Sequence, residues 1–152
     1  MNQVIQAGQP FTDKEFPPCQ ASLFDEHDHP SKAEKFKNYI WKRASDFYKH
    51  PEVFQQGVHP NDINQGNLGN CYYLAVLSAM AEYETRVKAR FYTQKVNKAG
   101  IYLMSFFVNG VEKPVIVDDW FPVNHHTKKP VFSSSKDEEL WVMLMEKAWA
   151  KL

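Results

Sequence analysis

Gln65-Gly66-Asn67-Leu68-Gly69-Asn70-Cys71-Tyr72-Tyr73-Leu74-Ala75 is the stretch on which the reading of this chain turns. Its first half is polar and glycine-rich. Its second half has no helix breaker, and Leu74, Leu77, Ser78, Met80 and Ala81 fall near one face, which predicts a buried helix from Cys71 to about Tyr83. A thiol opening a helix meets unpaired backbone N–H groups and the positive end of the macrodipole, and both favour the thiolate that attacks a carbonyl carbon. The glycines let the backbone approach a bound chain closely. Gln65 stands six residues before the cysteine and can aim its side-chain amide at a tetrahedral oxyanion, with the Cys71 N–H as second donor. Taken alone, however, a cysteine at the start of a buried helix is more often an inert core residue than a nucleophile.

Upstream, residues 51–70 carry Gly57, Pro60, Gly66 and Gly69 among Asn, Asp and Gln, the composition of a long structured loop. Between Ser31 and His50 the spacing of Phe36, Tyr39, Ile40 and Phe47 is only partly helical, and Pro51 ends any helix there. Residues 1–30, punctuated by Pro10, Pro17, Pro18 and Pro30, read as an irregular leader tethered by Phe11, Phe16 and Phe24. Downstream, IYLMSFFV and VEKPVIV flank Asn109-Gly110 and predict an antiparallel hairpin over 100–117. Leu140, Trp141, Leu144, Met145, Ala148, Trp149 and Leu152 repeat at helical spacing behind Ser135-x-x-Glu138, which fits a capping box. That helix meets no glycine or proline stop, so a boundary inside a larger domain is expected.

The 152 residues are 43% apolar and 14% aromatic, too rich in core-forming side chains for a disordered segment. Lys+Arg and Asp+Glu are both 18, and no block of like charge marks a nucleic-acid or membrane-binding face. No apolar run is long enough to span a bilayer, so no transmembrane segment is expected. Cys19 and Cys71 are the only cysteines, ordinary usage for a reducing compartment, so an intracellular, cytoplasmic protein is expected.

QGNLGNCYYLA resembles the nucleophile segment of papain-like cysteine peptidases, and calpains in particular. Gly100-Ile101-Tyr102, Val115 through Pro122, and Glu139-Leu140-Trp141 with Leu144 through Lys151 are similar to calpain segments in the same order. So, upstream, are Phe16-Pro17-Pro18, Ser22-Leu23 and Trp41-Lys42-Arg43. The resemblance covers nearly the whole chain. It implies an α+β, papain-like fold: a helical subdomain around the nucleophile-bearing helix with a small antiparallel sheet, over residues 31–152. It further implies a calcium-dependent cysteine endopeptidase acting on protein substrates, with Cys71 as nucleophile and Gln65 as oxyanion donor. Ca²⁺ would be held by the Gln55 and Gly57 carbonyls with Asp62 and Glu139, its 6–8 oxygen ligands completed by others. The family's histidine and asparagine belong to a second subdomain absent here, so this chain alone is expected to be inactive. The family usually has Asp-Cys-Trp where Asn70-Cys71-Tyr72 stands, which gives weight to an alternative: an inactive calpain-like module that responds to calcium or binds proteins. A small-molecule binding domain would leave QGNLGNC without a purpose.

None of His27, His29, His50, His59, His125 and His126 sits in a small-residue, strand-like context suited to a catalytic base, and all read as solvated loop residues. Cys19, between Pro18 and Gln20, reads as a plain thiol, and Asp118-Asp119 as a structural strand end.

Overall fold

The computed structural model describes residues 2–24 and 30–152; His27 and His29 lie outside the described residues. In chain order the elements are α1 (Asn2–Ala7), α2 (Pro30–Phe36), β1 (Tyr39–Arg43), α3 (Ala44–Phe47), β2 (Ile63–Asn64), α4 (Cys71–Ala81) and α5 (Glu84–Lys88). They continue with β3 (Ile101–Val108), β4 (Val111–Asp118), β5 (Trp120–Asn124), β6 (Ser134–Ser135) and α6 (Trp141–Lys151). The strands form separate antiparallel ribbons, β1 with β5, β2 with β6, and β3 with β4. Short helices mixed with small antiparallel sheets make this an α+β architecture.

The β3–β4 hairpin follows directly from its sequence. Asn109 and Gly110 have φ of 52° and 77°, the doubly left-handed turn whose twist matches the flanking strands. Its inner face places Tyr102, Met104, Val115 and Val117 against α6, where they are buried. The two long helices meet the same core. Helix α4 contributes Tyr73, Leu74, Leu77 and Ala81, while α6 is buried nearly all round, from Trp141 through Ala148.

Two expectations are corrected. The segment 31–50 holds a strand between two helices: β1 pairs with β5 from Tyr39↔Asn124 to Arg43↔Trp120. Its aromatic and β-branched residues satisfy a distant partner, which local spacing does not reveal. The capping box of α6 does not form either. Ser135 lies in β6, and the Glu138 carboxylate accepts the backbone N–H groups of Lys49 and His50. Instead, the carbonyls of Glu52 and Val53 accept the Leu140 and Trp141 N–H groups at 2.8 and 3.2 Å, so the start of α6 is capped by another part of the chain.

Among its described residues, 2–24, the leader is irregular apart from α1 and a 3₁₀ turn at Gln20–Ser22. Phe11 N–H donates to the Ala99 carbonyl at 2.8 Å, and Phe24 stacks on Phe36. The leader also joins a buried charge network. Asp118 Oδ2 accepts the Asp13 N–H at 2.7 Å, Asp118 Oδ1 pairs with the Lys147 ammonium, and Lys151 Nζ lies 2.7 Å from Asp13 Oδ2. Arg43 pairs with Asp119 at 2.6 Å. Burial pushes the Lys147 ammonium down, and Asp118 pulls it back toward its ordinary value.

Two substitutions test how the fold is held. Lys147→Met strands a fully buried carboxylate and is expected to cost about 3–5 kcal/mol, read as a lower urea midpoint; an unchanged midpoint would show the pair to be dispensable. A Cβ on Gly66 would lie 2.1 Å from the Phe132 carbonyl oxygen, a backbone atom with no room to yield. Gly66→Ala is therefore expected to cost about 1–3 kcal/mol in the same measurement, and a neutral result would mean that the 63–70 loop is not pressed onto this segment.

Candidate active site

Helix α4 begins at Cys71, where the sequence places it. The Asn70 carbonyl accepts the N–H groups of Tyr73 and Leu74 at 2.9 and 3.1 Å, which starts the helical ladder. The Asn70 side chain caps nothing, so the Cys71 and Tyr72 amides lack an intrahelical acceptor. The Cys71 thiol is free and exposed, and so is the neighbouring Tyr72, at 64%. This cysteine is no core residue. The buried side of the first turn is Tyr73, whose ring stacks on Trp149 and whose hydroxyl donates to the Met145 carbonyl at 3.0 Å.

The loop leading to Cys71 lies along a floor made by residues 131–135. Ile63 and Asn64 pair with Ser135 and Ser134, and Asn67 N–H donates to the Val131 carbonyl at 2.8 Å. Gly66 faces Phe132 with no room for a side chain, whereas Gly69 has open space on the side where a Cβ would stand. Only Gly66 therefore needs its missing side chain for close backbone approach. Gln65 is exposed on this loop. On the outer side, Lys35 Nζ donates to the Asn67 carbonyl at 2.8 Å and Asn67 Nδ2 to the Tyr39 hydroxyl at 3.2 Å.

Beneath Cys71 lies a buried polar group that sequence reasoning missed. Glu146 Oε1 accepts from Asn70 Nδ2 at 2.6 Å, and Glu146 Oε2 accepts the Ser133 N–H at 3.1 Å. Burial pushes the Glu146 carboxyl above its ordinary range, while Ser133 and Asn70 pull it back. A signal for it existed in the sequence: α6 carries Val142 and Met143 as well as its expected apolar stripe, and a helix apolar all round is buried with its charges paired.

The four residues expected to hold calcium come from the 55–62 loop and the lead-in to α6. Glu139 is buried; its Oε1 accepts the Gln55 N–H at 2.7 Å and its Oε2 the Trp141 indole N–H at 3.2 Å. Asp62 closes the 3₁₀ turn Pro60–Asp62 by accepting the His59 N–H at 2.7 Å. Burial raises the Glu139 carboxyl, and the negative charge of Asp62 raises it further. Two carboxylates and backbone carbonyls are oxygen donors of the kind calcium takes, and both Glu139 oxygens already accept hydrogen bonds. Gly57 has φ 106°, and a Cβ there would stand 3.4 Å from the Glu84 carboxylate. Among the described residues no group of three or more His, Cys, Asp and Glu is arranged to hold a metal, so this set depends on two carboxylates and backbone oxygens.

The described histidines are engaged in turns and loops. His59 Nδ1 accepts the Asn61 N–H, His125 and His126 pack ring against ring, and His50 is exposed. No helix among the described residues is long and apolar enough to cross a membrane.

The profile of the calpain family of cysteine proteases matches residues 11–152. The chain is 37% identical over 149 residues to the calpain-type cysteine protease DEK1 of Arabidopsis thaliana, covering 93% of this chain and 7% of that protein. It is 35% identical over 156 residues to calpain-5 of Caenorhabditis elegans, covering 97% of this chain and 23% of the relative. To mouse calpain-8 it is 33% identical over 153 residues, 99% of this chain and 22% of the relative. The chain thus spans less than a quarter of the length of these relatives. With a family match that runs through the helix-opening cysteine and on through α6, the chain belongs to the calpain family of cysteine proteases.

Proposed function

We propose that this chain supplies the nucleophile-bearing part of a calcium-dependent cysteine endopeptidase with a papain-like core. The observation that carries this reading is Cys71, exposed as a free thiol at the first position of α4, behind a loop held by backbone pairing. As a thiolate, Cys71 attacks the carbonyl carbon of a peptide bond. A C–S bond forms while the carbonyl π electrons move onto oxygen. The Cys71 N–H and the Gln65 side-chain amide are the donors offered to that oxyanion. Collapse expels the amine, which takes up a proton, and water then hydrolyses the thioester to regenerate the thiol. The base and acid of these steps belong to a histidine of a second protease-core subdomain, oriented by an asparagine. That subdomain is the partner this reading requires, and protein chains are its substrates. The reading also places the protein inside the cell, probed most simply by imaging a tagged chain.

Calcium enters as a structural ligand. Asp62 immediately precedes β2, and Gln65 follows three residues after Asp62, so an ion held by Asp62, Glu139 and the Gln55 and Gly57 carbonyls fixes the loop that presents the oxyanion donor.

Two measurements test the reading. Brief alkylation with iodoacetamide at neutral pH, followed by peptide mapping, is expected to label Cys71 ahead of Cys19, since both thiols are exposed and only Cys71 opens a long helix. Equal labelling, or faster labelling of Cys19, would remove Cys71 as a nucleophile. Calorimetric titration is expected to show one calcium site in the wild type and none in Asp62→Ala/Glu139→Ala. Unchanged binding in the double variant, or none in the wild type at millimolar calcium, excludes the site.

A further inference from the structure

Asn70, Ser133 and Glu146 form a buried polar group directly beneath the first turn of α4, with exposures of 7%, 1% and 6%. Each comes from a different part of the fold. Asn70 is the N-cap of the helix that Cys71 opens, Ser133 belongs to the floor under the preceding loop, and Glu146 projects from α6. An N-cap asparagine ordinarily turns its side-chain oxygen toward the free amides of the first turn. Here it does not. Its amide nitrogen donates to Glu146 Oε1 at 2.6 Å, and its Oδ1 is buried without a hydrogen-bond partner among the described residues. The Ser133 backbone N–H donates to the other Glu146 oxygen at 3.1 Å. The Asn70 carbonyl oxygen thus goes unsatisfied while one carboxyl holds two segments of the chain, a costly arrangement for a group that merely fills a core.

We infer that Glu146 is a positioning residue for the Cys71 nucleophile, acting through Asn70 and Ser133 to lock the start of α4 onto the floor of the nucleophile loop. This rests on the reading of Cys71 as the nucleophile. The carboxyl bridges the residue just before Cys71 and the segment that already pairs with Ile63, Asn64 and Asn67. With the clip in place, the last residue of the loop and the first turn of the helix form one rigid unit. Without it, Asn70 is free to rotate and Cys71 is no longer fixed at the end of a formed helix. The charged and titratable neighbours are otherwise engaged: Lys147 pairs with Asp118, and the Tyr73 hydroxyl donates to the Met145 carbonyl.

The test uses the chain as it stands and takes Cys19 as an internal reference. Iodoacetamide labelling rates of Cys71 and Cys19 are measured in the wild type, Glu146→Ala, Glu146→Gln, Asn70→Ala and Asn70→Ala/Glu146→Ala, with thermal melts on the same samples. The ratio of the Cys71 rate to the Cys19 rate is expected to fall about fivefold in Glu146→Ala and in Asn70→Ala, in line with the usual net worth of one hydrogen bond. The double variant falls no further than the lower single, because both remove one contact. Glu146→Gln keeps an acceptor oxygen for Asn70 and loses less than Glu146→Ala. Should Glu146→Ala not fold, Asn70→Ala and Glu146→Gln still decide the matter. A lower melting temperature with an unchanged ratio in these variants overturns the inference and leaves Glu146 a core residue. Losses that multiply in the double variant overturn the route through Asn70. A wild-type ratio near one is a different failure, since it removes Cys71 as nucleophile before any variant is compared.

Discussion

Side by side on α6, Glu146 and Lys147 are both buried, and most of the structure is arranged around that constraint. An unpaired charge in a protein interior is so costly that the chain must bring partners to it. Successive residues on a helix point about 100° apart, so two neighbouring charges draw partners from different sides. Lys147 draws in Asp118 at the end of β4 and the Trp120 carbonyl at the start of β5. Through Asp118, the same pair fixes Asp13 of the leader. Glu146 draws in Asn70 and Ser133. The hairpin, the leader, the β1–β5 ribbon and the loop before Cys71 are thereby all referred to one helix.

The chain just before α6 extends this scaffold. Residues 131–135 form the floor for residues 63–70, and residues 138–141 hold residues 49–55 through Glu138, Glu139 and the backbone of Leu140 and Trp141. The 63–70 loop and the proposed calcium loop thus rest on adjacent parts of a single segment. Under the proposed reading this supplies a direct mechanical link. Asp62 is followed at once by β2, β2 pairs with β6, and only a short stretch separates β6 from Glu139. An ion held by Asp62 and Glu139 would draw together the start of β2 and the chain leaving β6, at the same end of one antiparallel pair.

The parts of this arrangement legible in the sequence are those whose signals are local. Asn109-Gly110 announces the hairpin because its turn needs two left-handed residues. The breaker-free run after Gly69 announces α4, and the apolar repeat announces α6. What remained hidden depends on distant partners. The Tyr39–Arg43 strand has a mixed pattern because it is half-buried on both faces, and only pairing with Trp120–Asn124 makes it a strand. Ser135-x-x-Glu138 has the composition of a capping box, yet other contacts claim both residues, and the carbonyls of Glu52 and Val53 cap α6 instead. In the candidate site, Cys71 was legible because its helix is. The contact of Asn70 with Glu146 was not, since it joins residues far apart in sequence.

The same contact bears on the two positions beside Cys71 where the chain departs from the usual calpain pattern. Tyr72 in place of tryptophan lies on the surface, so that exchange alters an exposed aromatic and leaves the packing beneath it alone. Asn70 in place of aspartate is another matter, because its side chain is buried against a carboxyl. An aspartate there would set two carboxyl groups in contact, and like charges at that distance force one of them to keep a proton. Asparagine removes that requirement. Its amide is a donor at any pH, so the contact with Glu146 needs no shared proton. An asparagine here thus keeps a bridge from α6 to the start of α4, and the loss of a carboxylate beside Cys71 does not of itself imply a decayed site.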